Sequence, residues 1–359
     1  MSVKSEVEES VENIEWKKKE KNVLVIHYTL SCALSCDFCC YDCSPRRKEK
    51  MDYDFAIDLI RQASKIDSIS SIGFTGGEPL YYLDEALGLF EECYRNSMSF
   101  TLATACHWAK DKSVALSVLT KMKKYGLSRL NISADYSHQK FVPLLAVENA
   151  VQLASELGIE TYVVGTFSHV DDSLETYLEK CVDLPSINFV SKYVAKTGRA
   201  EDWEISQERY GLDLNINELS CYRRKYHDIV VWHDGTVYPC CSTFNRKTDG
   251  IRVGNAYQES LETIIARLDS SSKFNILKRQ GFGALLEIIG KYDDELLKEV
   301  PDCKECVGPC SFCNAIFSNQ SLTAKIDNIL ASYEADKLID VIEKLDESTL
   351  KALDIDRYL

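Results

Sequence analysis

From residue 22 to about residue 200 the chain alternates between two hydrophobic patterns. Short, nearly continuous apolar runs occur at Val23–Tyr28, Ile69–Thr75, Met98–Ala105, Leu127–Ala134, Glu160–Phe167 and Ile187–Val194. Their length and β-branched content fit strands buried on both faces. Helix-length stretches separate them, near 52–66, 84–96, 111–125, 143–157 and 173–181. This alternation predicts βαβ units and a parallel sheet. Six such strands predict an α/β fold, a partial (β/α)6 barrel of the TIM type. Functional groups in barrels of this kind gather at the C-terminal ends of the strands.

Beyond residue 200 the pattern changes. Two β-rich runs flank Asp234-Gly235, a hairpin signal. The second run ends in Cys240 and Cys241, and Cys303, Cys306, Cys310 and Cys313 follow. A small Cys-rich C-terminal iron–sulfur domain is therefore expected. In the tail, Ile326, Ile329, Leu330, Tyr333, Leu338, Ile339, Ile342 and Leu345 fall at helical spacing and predict a packing pair of helices. Residues 1–21 are charged and lack a core face, as in a solvated arm. The expected division is an arm (1–21), a barrel (22–205), a cysteine-rich domain (206–320) and terminal helices (321–359).

Composition narrows the class. A 359-residue chain with 45% hydrophobic residues fits one large domain plus an appendage. The net charge of −14, with no basic stripe carrying aromatics, argues against a nucleic-acid partner. There is no apolar run of about 18 residues and no signal-peptide pattern, so no membrane association is expected and the location is expected to be cytoplasmic. Fifteen cysteines in such a chain point to metal rather than disulfides. Cys93, Cys106 and Cys181 stand alone and read as small buried hydrophobes.

Cys32, Cys36 and Cys39 follow the first strand at the spacing C-x3-C-x2-C. Thiolates are the soft ligands that iron–sulfur clusters require. Three of them can hold three irons of a four-iron cube and leave the fourth open. A structural zinc knuckle is the alternative, with Cys40 or Cys43 as fourth ligand. Ile72-Gly73-Phe74-Thr75-Gly76-Gly77-Glu78-Pro79 closes the second strand in a glycine turn. Glycine lets backbone approach a ligand closely. Asn131-Ile132-Ser133-Ala134-Asp135 closes the fourth strand, and Ser133 or Asp135 is placed to meet a ligand there.

The triplet, its aromatic Phe38 and the Gly-Gly-Glu-Pro turn together resemble the radical S-adenosylmethionine (SAM) enzymes. The resemblance implies that Cys32, Cys36 and Cys39 bind a [4Fe-4S] cluster and that SAM chelates its open iron. It implies that Phe38, Gly76, Gly77, Glu78, Pro79 and Ser133 contact SAM, the Gly-Gly-Glu-Pro turn meeting its amino group. A Gly-Arg-Ala like that at Gly198-Arg199-Ala200 follows the sixth strand in many radical SAM peptide-modifying enzymes. On that likeness Arg199 pairs bidentately with the SAM carboxylate.

Cys221, the hairpin and the late cysteine pairs resemble the SPASM and twitch extensions, which carry auxiliary [4Fe-4S] clusters. At least one such cluster is implied, with Cys221, Cys240, Cys310 and Cys313 as ligands. Cys303 and Cys306 are substitutes or belong to a second site. The late spacing, C-x2-C-x3-C-x2-C, departs from the family's C-x2-C-x5-C-x3-C, and a zinc ribbon is the structural alternative. Successive side chains on a strand face opposite ways. If Cys240 faces the auxiliary cluster, Cys241 faces the barrel mouth and keeps a thiol hydrogen.

Residues 36–45, 74–78, 226–230, 233–242 and 278–282 further resemble the radical SAM peptide epimerases of the epipeptide type. That likeness implies L-to-D conversion in a ribosomal precursor peptide. Hydrogen leaves Cα to the 5′-deoxyadenosyl radical and returns from Cys241, with Asp228 positioning the peptide or handling protons. A flavodoxin or ferredoxin would supply electrons. The competing readings are a maturase forming thioether or carbon–carbon crosslinks, and a non-catalytic iron–sulfur or zinc protein.

Overall fold

The computed structural model describes residues 21–169, 188–204, 214–221 and 226–342, together with Asp172 and Tyr177. The expected arm lies outside the described residues except for Lys21, and the expected helix at 173–181 lies outside them except for Tyr177.

Six parallel strands follow the predicted runs closely: β1 (Asn22–Thr29), β2 (Ile69–Gly76), β3 (Ser99–Thr104), β4 (Leu127–Ser133), β5 (Glu160–Phe167) and β6 (Asn188–Tyr193). Each pairs with the next in parallel, as a βαβ chain requires. The intervening helices are α1 (Tyr53–Lys65), α2 (Leu83–Arg95), α3 (Lys112–Lys124) and α4 (Leu144–Glu156). Their starts are written in the sequence. Asp52 and Asp111 cap α1 and α3, their carboxylates accepting from the Phe55 and Val114 backbone N–H groups. In α1, Ala56, Leu59, Ile60 and Ala63 form the buried stripe. Phe74, Phe90 and Phe100 interlock between sheet and helices, with ring centroids 4.3–5.8 Å apart.

The hairpin does not stand apart from the barrel. β7 (Asp228–Trp232) pairs in parallel with β1, Val23 opposite Asp228 and His27 opposite Trp232. β8 (Thr236–Tyr238) and β9 (Gly254–Asn255) then add antiparallel strands. The sheet has nine strands in the order β6-β5-β4-β3-β2-β1-β7-β8-β9. This places the C-terminal end of β7 beside that of β1, and β8 runs back along β7, with Tyr238 opposite Val230, so the residues after β8 lie near the start of β7.

Helices α5 (Leu261–Ser270), α6 (Ser272–Arg279), α7 (Phe282–Tyr292), α8 (Asp294–Glu299) and α9 (Pro309–Phe317) complete the C-terminal region. Of the expected terminal pair, one helix is described, α10 (Gln320–Ile342), which buries Leu322, Ile326, Ile329 and Leu330. Its remainder lies outside the described residues. Among the described residues no helix is long and apolar enough to cross a membrane.

Candidate active site

The loop after β1 carries the cysteine triplet. Its neck is closed by backbone hydrogen bonds from Cys32 N–H to Ser44 O and from Ser44 N–H to Leu30 O, at 3.2 and 3.3 Å. Inside the neck, Cys39 N–H returns to Cys36 O and Asp42 N–H to Cys39 O. Cys32, Cys36, Phe38 and Cys39 line one cavity of about 550 Å³ at the C-terminal ends of the strands. Gly76, Gly77, Ser133, Asp228 and Cys241 line it as well. A hydrogen bond from Cys43 pulls the Cys39 thiol down to about 6. Burial pushes Cys32 up.

The glycine turn presses against this loop. A Cβ on Gly76 would come within 2.5 Å of Thr29 O, and one on Gly77 within 2.2 Å of Ser31 O. Only glycine permits that approach. Glu78 departs from the expected ammonium contact. It is fully buried, and its carboxylate accepts from Thr104 Oγ1 and from the Ala105 and Leu80 N–H groups. Its charge is spent tying the turn to the end of β3. Pro79 opens the short 3-10 turn that follows and is buried there. The backbone of Gly76 and Gly77, not the Glu78 side chain, faces the cavity.

At the end of β4, Ser133 lines the cavity. Asp135 points elsewhere. Its buried carboxylate accepts from the Ser137, His138 and Thr166 N–H groups and from His138 Nδ1 at 2.8 Å. His138 in turn lines the cavity. Burial opposes its charge, but bonds to Asp135 and Cys36 outweigh burial and hold its pKa up at about 10. Ser137 Oγ accepts from the Asp37 N–H at 2.8 Å, and Lys140 pairs with Asp37. The Asp-x-x-His spacing was the available signal for this unit.

Arg199 also departs from expectation. Its Nε donates to Asp42 Oδ1 at 2.8 Å, and its two terminal nitrogens donate to the Cys36 and Cys43 carbonyls. It is not among the residues lining the cavity. The guanidinium is committed to the outside of the cysteine loop.

The C-terminal cysteines divide between two cavities. Cys221, Cys240, Cys310 and Cys313 line a small pocket of about 50 Å³, walled by Phe274, Leu277 and Phe282. Burial pushes the Cys240 and Cys313 thiols up. Cys303 and Cys306 are buried outside this pocket, and Cys303 Sγ donates to Leu214 O at 3.5 Å. Cys241 is exposed into the barrel cavity, where its thiol donates to Asp228 Oδ2 at 3.0 Å. The strand itself ends at Tyr238. Asn245 Nδ2 donates to Cys240 O at 2.7 Å, within the bend that separates the two sulfurs.

Two further residues connect these parts. Tyr41 packs edge-on against His27 and Trp232, each with centroids 4.8 Å apart, and its hydroxyl donates to Ser242 O at 3.3 Å. His27 stacks on Trp232 at 3.7 Å. A histidine at an inward position of an apolar strand marks it in the sequence.

This assembly of a cysteine-triplet loop and glycine turn at one mouth of a parallel barrel defines a class. The sequence pattern of the radical SAM superfamily matches residues 26–181, and that of the iron–sulfur cluster-binding SPASM domain matches residues 221–314. The chain carries a radical SAM domain and a SPASM domain. It is 25% identical over 288 residues to the "Putative peptide biosynthesis protein YydG" of Bacillus subtilis (strain 168), covering 80% of this chain and 89% of that protein. Among solved structures it resembles Streptococcus suis SuiB bound to S-adenosylmethionine, with 17% identity and a TM-score of 0.49. That match covers 71% of this chain and 66% of SuiB, just under two thirds of that protein. Native anSMEcpe with bound AdoMet and Cp18Cys peptide matches with 16% identity and a TM-score of 0.46, over 90% of this chain and 99% of that one. These structural likenesses concern the fold alone.

The cofactors of this enzyme class are a [4Fe-4S] cluster, SAM and auxiliary iron–sulfur clusters. The side chains present fit them. Three cysteines converge on a cavity with room for a nucleoside, and the backbone of Gly76 and Gly77 lines the same cavity. Four cysteines converge on a second, apolar pocket. Among the described residues no group of three His, Cys, Asp or Glu side chains closes around a single metal ion. A four-iron cube spreads its thiolates more widely than one ion does.

Proposed function

We propose that this radical SAM enzyme modifies a ribosomally made precursor peptide, converting L-residues to D-residues. The observation that carries the reading is the Cys241 thiol. It shares a cavity with the cysteine triplet, stands outside the Cys221–Cys313 pocket, and donates to Asp228. The name of the Bacillus relative supports a peptide substrate.

The bound cluster and SAM supply a 5′-deoxyadenosyl radical, which takes hydrogen from a peptide Cα. Cys241 then gives its hydrogen atom to the opposite face of that planar carbon, inverting it. A cysteine ligated to iron has no such hydrogen, so a donor must lie outside both cysteine sets. The resulting thiyl takes one electron and one proton to reset. A flavodoxin or ferredoxin is the proposed electron source. Asp228, the acceptor of the thiol's hydrogen bond, orients the donor.

The test uses a candidate precursor peptide, sought first among short reading frames beside the gene, with SAM and reductant in deuterated water. Epimerisation adds one deuterium per altered site, because the thiol exchanges with solvent. Crosslinking instead removes two hydrogens and would overturn the reading. Cys241→Ala should still form 5′-deoxyadenosine but leave the peptide uninverted. Full inversion by that variant would defeat the donor assignment.

A further inference from the structure

We propose that Arg199, seated by the Gly198 turn, is a positioning residue that clamps the Cys32–Cys43 loop in its cluster-binding shape, and does not bind the SAM carboxylate. The proposal is independent of which reaction the peptide undergoes.

Arg199 does not line the cavity, and its contacts are with the cysteine loop. Arg199 reaches the carbonyls of Cys36 and Cys43 and the Asp42 carboxylate with its side chain, and Cys39 O with its backbone N–H at 3.1 Å. One residue thereby spans the loop from its second triplet cysteine to Cys43. A planar guanidinium suits several fixed acceptors, which a lysine ammonium cannot reach together. Gly198 completes the seat. Its φ is +60°, and a Cβ there would stand 2.2 Å from Cys39 O and 2.6 Å from the Cys40 carbonyl carbon. The turn after β6 is therefore built to lie flat on this loop.

The loop needs such a support. Between its neck at Ser44 and its tip it is held internally by turn hydrogen bonds, not by strand pairing. Three thiolates must nevertheless hold positions compatible with one rigid cube. Partners of metal ligands commonly set metal affinity by 10–100-fold. The guanidinium's positive charge also lies beside a loop that becomes anionic when its thiols are deprotonated and ligated.

The test compares full-length wild type with Arg199→Gln, Arg199→Lys and Gly198→Ala, each reconstituted anaerobically with iron and sulfide. Iron and sulfide per chain, the rate of iron loss to a chelator, and SAM affinity by equilibrium dialysis are measured. Arg199→Gln should lose iron about 10-fold faster or retain about one cluster fewer. Among molecules that keep the cluster, SAM affinity should change less than about 3-fold. Arg199→Lys should fall between, and Gly198→Ala should reproduce the loss without touching the charge. If Arg199→Gln does not fold, the lysine and alanine variants decide. Wild-type iron retention with a 10-fold loss of SAM affinity would overturn the clamp in favour of a carboxylate contact. Wild-type values throughout would reduce Arg199 to a surface residue.

Discussion

At the scale of single residues, cysteine spacing was legible and side-chain partners were not. Cys32, Cys36 and Cys39 could be chosen because a short loop brings close spacing together in space. Glu78 and Arg199 could not be placed, because Thr104 and Ala105 on the one side and the cysteine-loop acceptors on the other lie 26 to 163 residues away along the chain. A charged group takes whatever partner the fold delivers, and here Thr104 and the loop carbonyls were delivered. The pair Cys241–Asp228 was legible as a pair only through the family likeness. Its geometry gives a prediction. A hydrogen bond to a charged group contributes about 1.5–3 kcal/mol, so Asp228→Ala should lower inversion by roughly 10-fold or more while SAM cleavage persists. The ratio of 5′-deoxyadenosine to D-residue measures this. An unchanged ratio would remove Asp228 from the reaction. A second prediction concerns His138, which Asp135 holds in the cavity wall beside Cys36. Hydrogen bonds to cluster sulfurs help set reduction potential. His138→Leu should lower the potential of the triplet-bound cluster by on the order of tens of mV. An EPR-monitored redox titration reads the shift, and an unmoved potential would refute it.

At the scale of elements, the strands were nearly all readable, since buried parallel strands announce themselves as apolar runs. What the runs could not say is where the late hairpin docks. Pairing of β7 with β1 is a tertiary choice between sequence-distant edges, and it puts Asp228 and Cys241 on the wall of the barrel cavity. Tyr41 marks how the two parts are held in register. It leaves the loop two residues after Cys39, rests on the last residues of β1 and β7, and bonds the backbone one residue after Cys241. A donor and an abstracting radical on opposite faces of one carbon tolerate little misplacement. Tyr41→Phe keeps the aromatic contacts and loses only the hydroxyl bond, worth about 1 kcal/mol. It should raise abortive SAM cleavage per inverted residue several-fold without changing iron content. Equal coupling in the variant would show that the aromatic packing alone sets the spacing.

At the scale of the whole molecule, the partial barrel follows from alternation alone, whereas the burial of histidines in it does not. His27 is 1% exposed and stacked on Trp232, and burial lowers its pKa to about 3. Burial likewise lowers His227 to about 4, beside the C-terminal cysteine pocket. Both are neutral in the folded chain near pH 6, while in the unfolded chain they take up protons below about pH 6.5. The unfolded state then binds more protons, so stability falls as pH drops through that value. Between pH 7.5 and pH 6 each histidine costs about 0.8 kcal/mol. That is a fall in melting temperature of roughly 2 °C for the two together in a protein of this size. The window lies above the titration of ordinary carboxylates, and His138, held up at about 10, works in the opposite direction there, so the contribution of His27 is read as the difference between wild type and a variant lacking it. His27→Phe preserves a flat ring against Trp232 and removes the titrating group. Melting of the reconstituted protein at the two pH values should therefore leave the variant about 0.8 kcal/mol less destabilised by acidification than wild type, on the order of 1 °C in melting temperature. An identical pH dependence would mean that His27 is already charged, or already partnered, in the folded barrel.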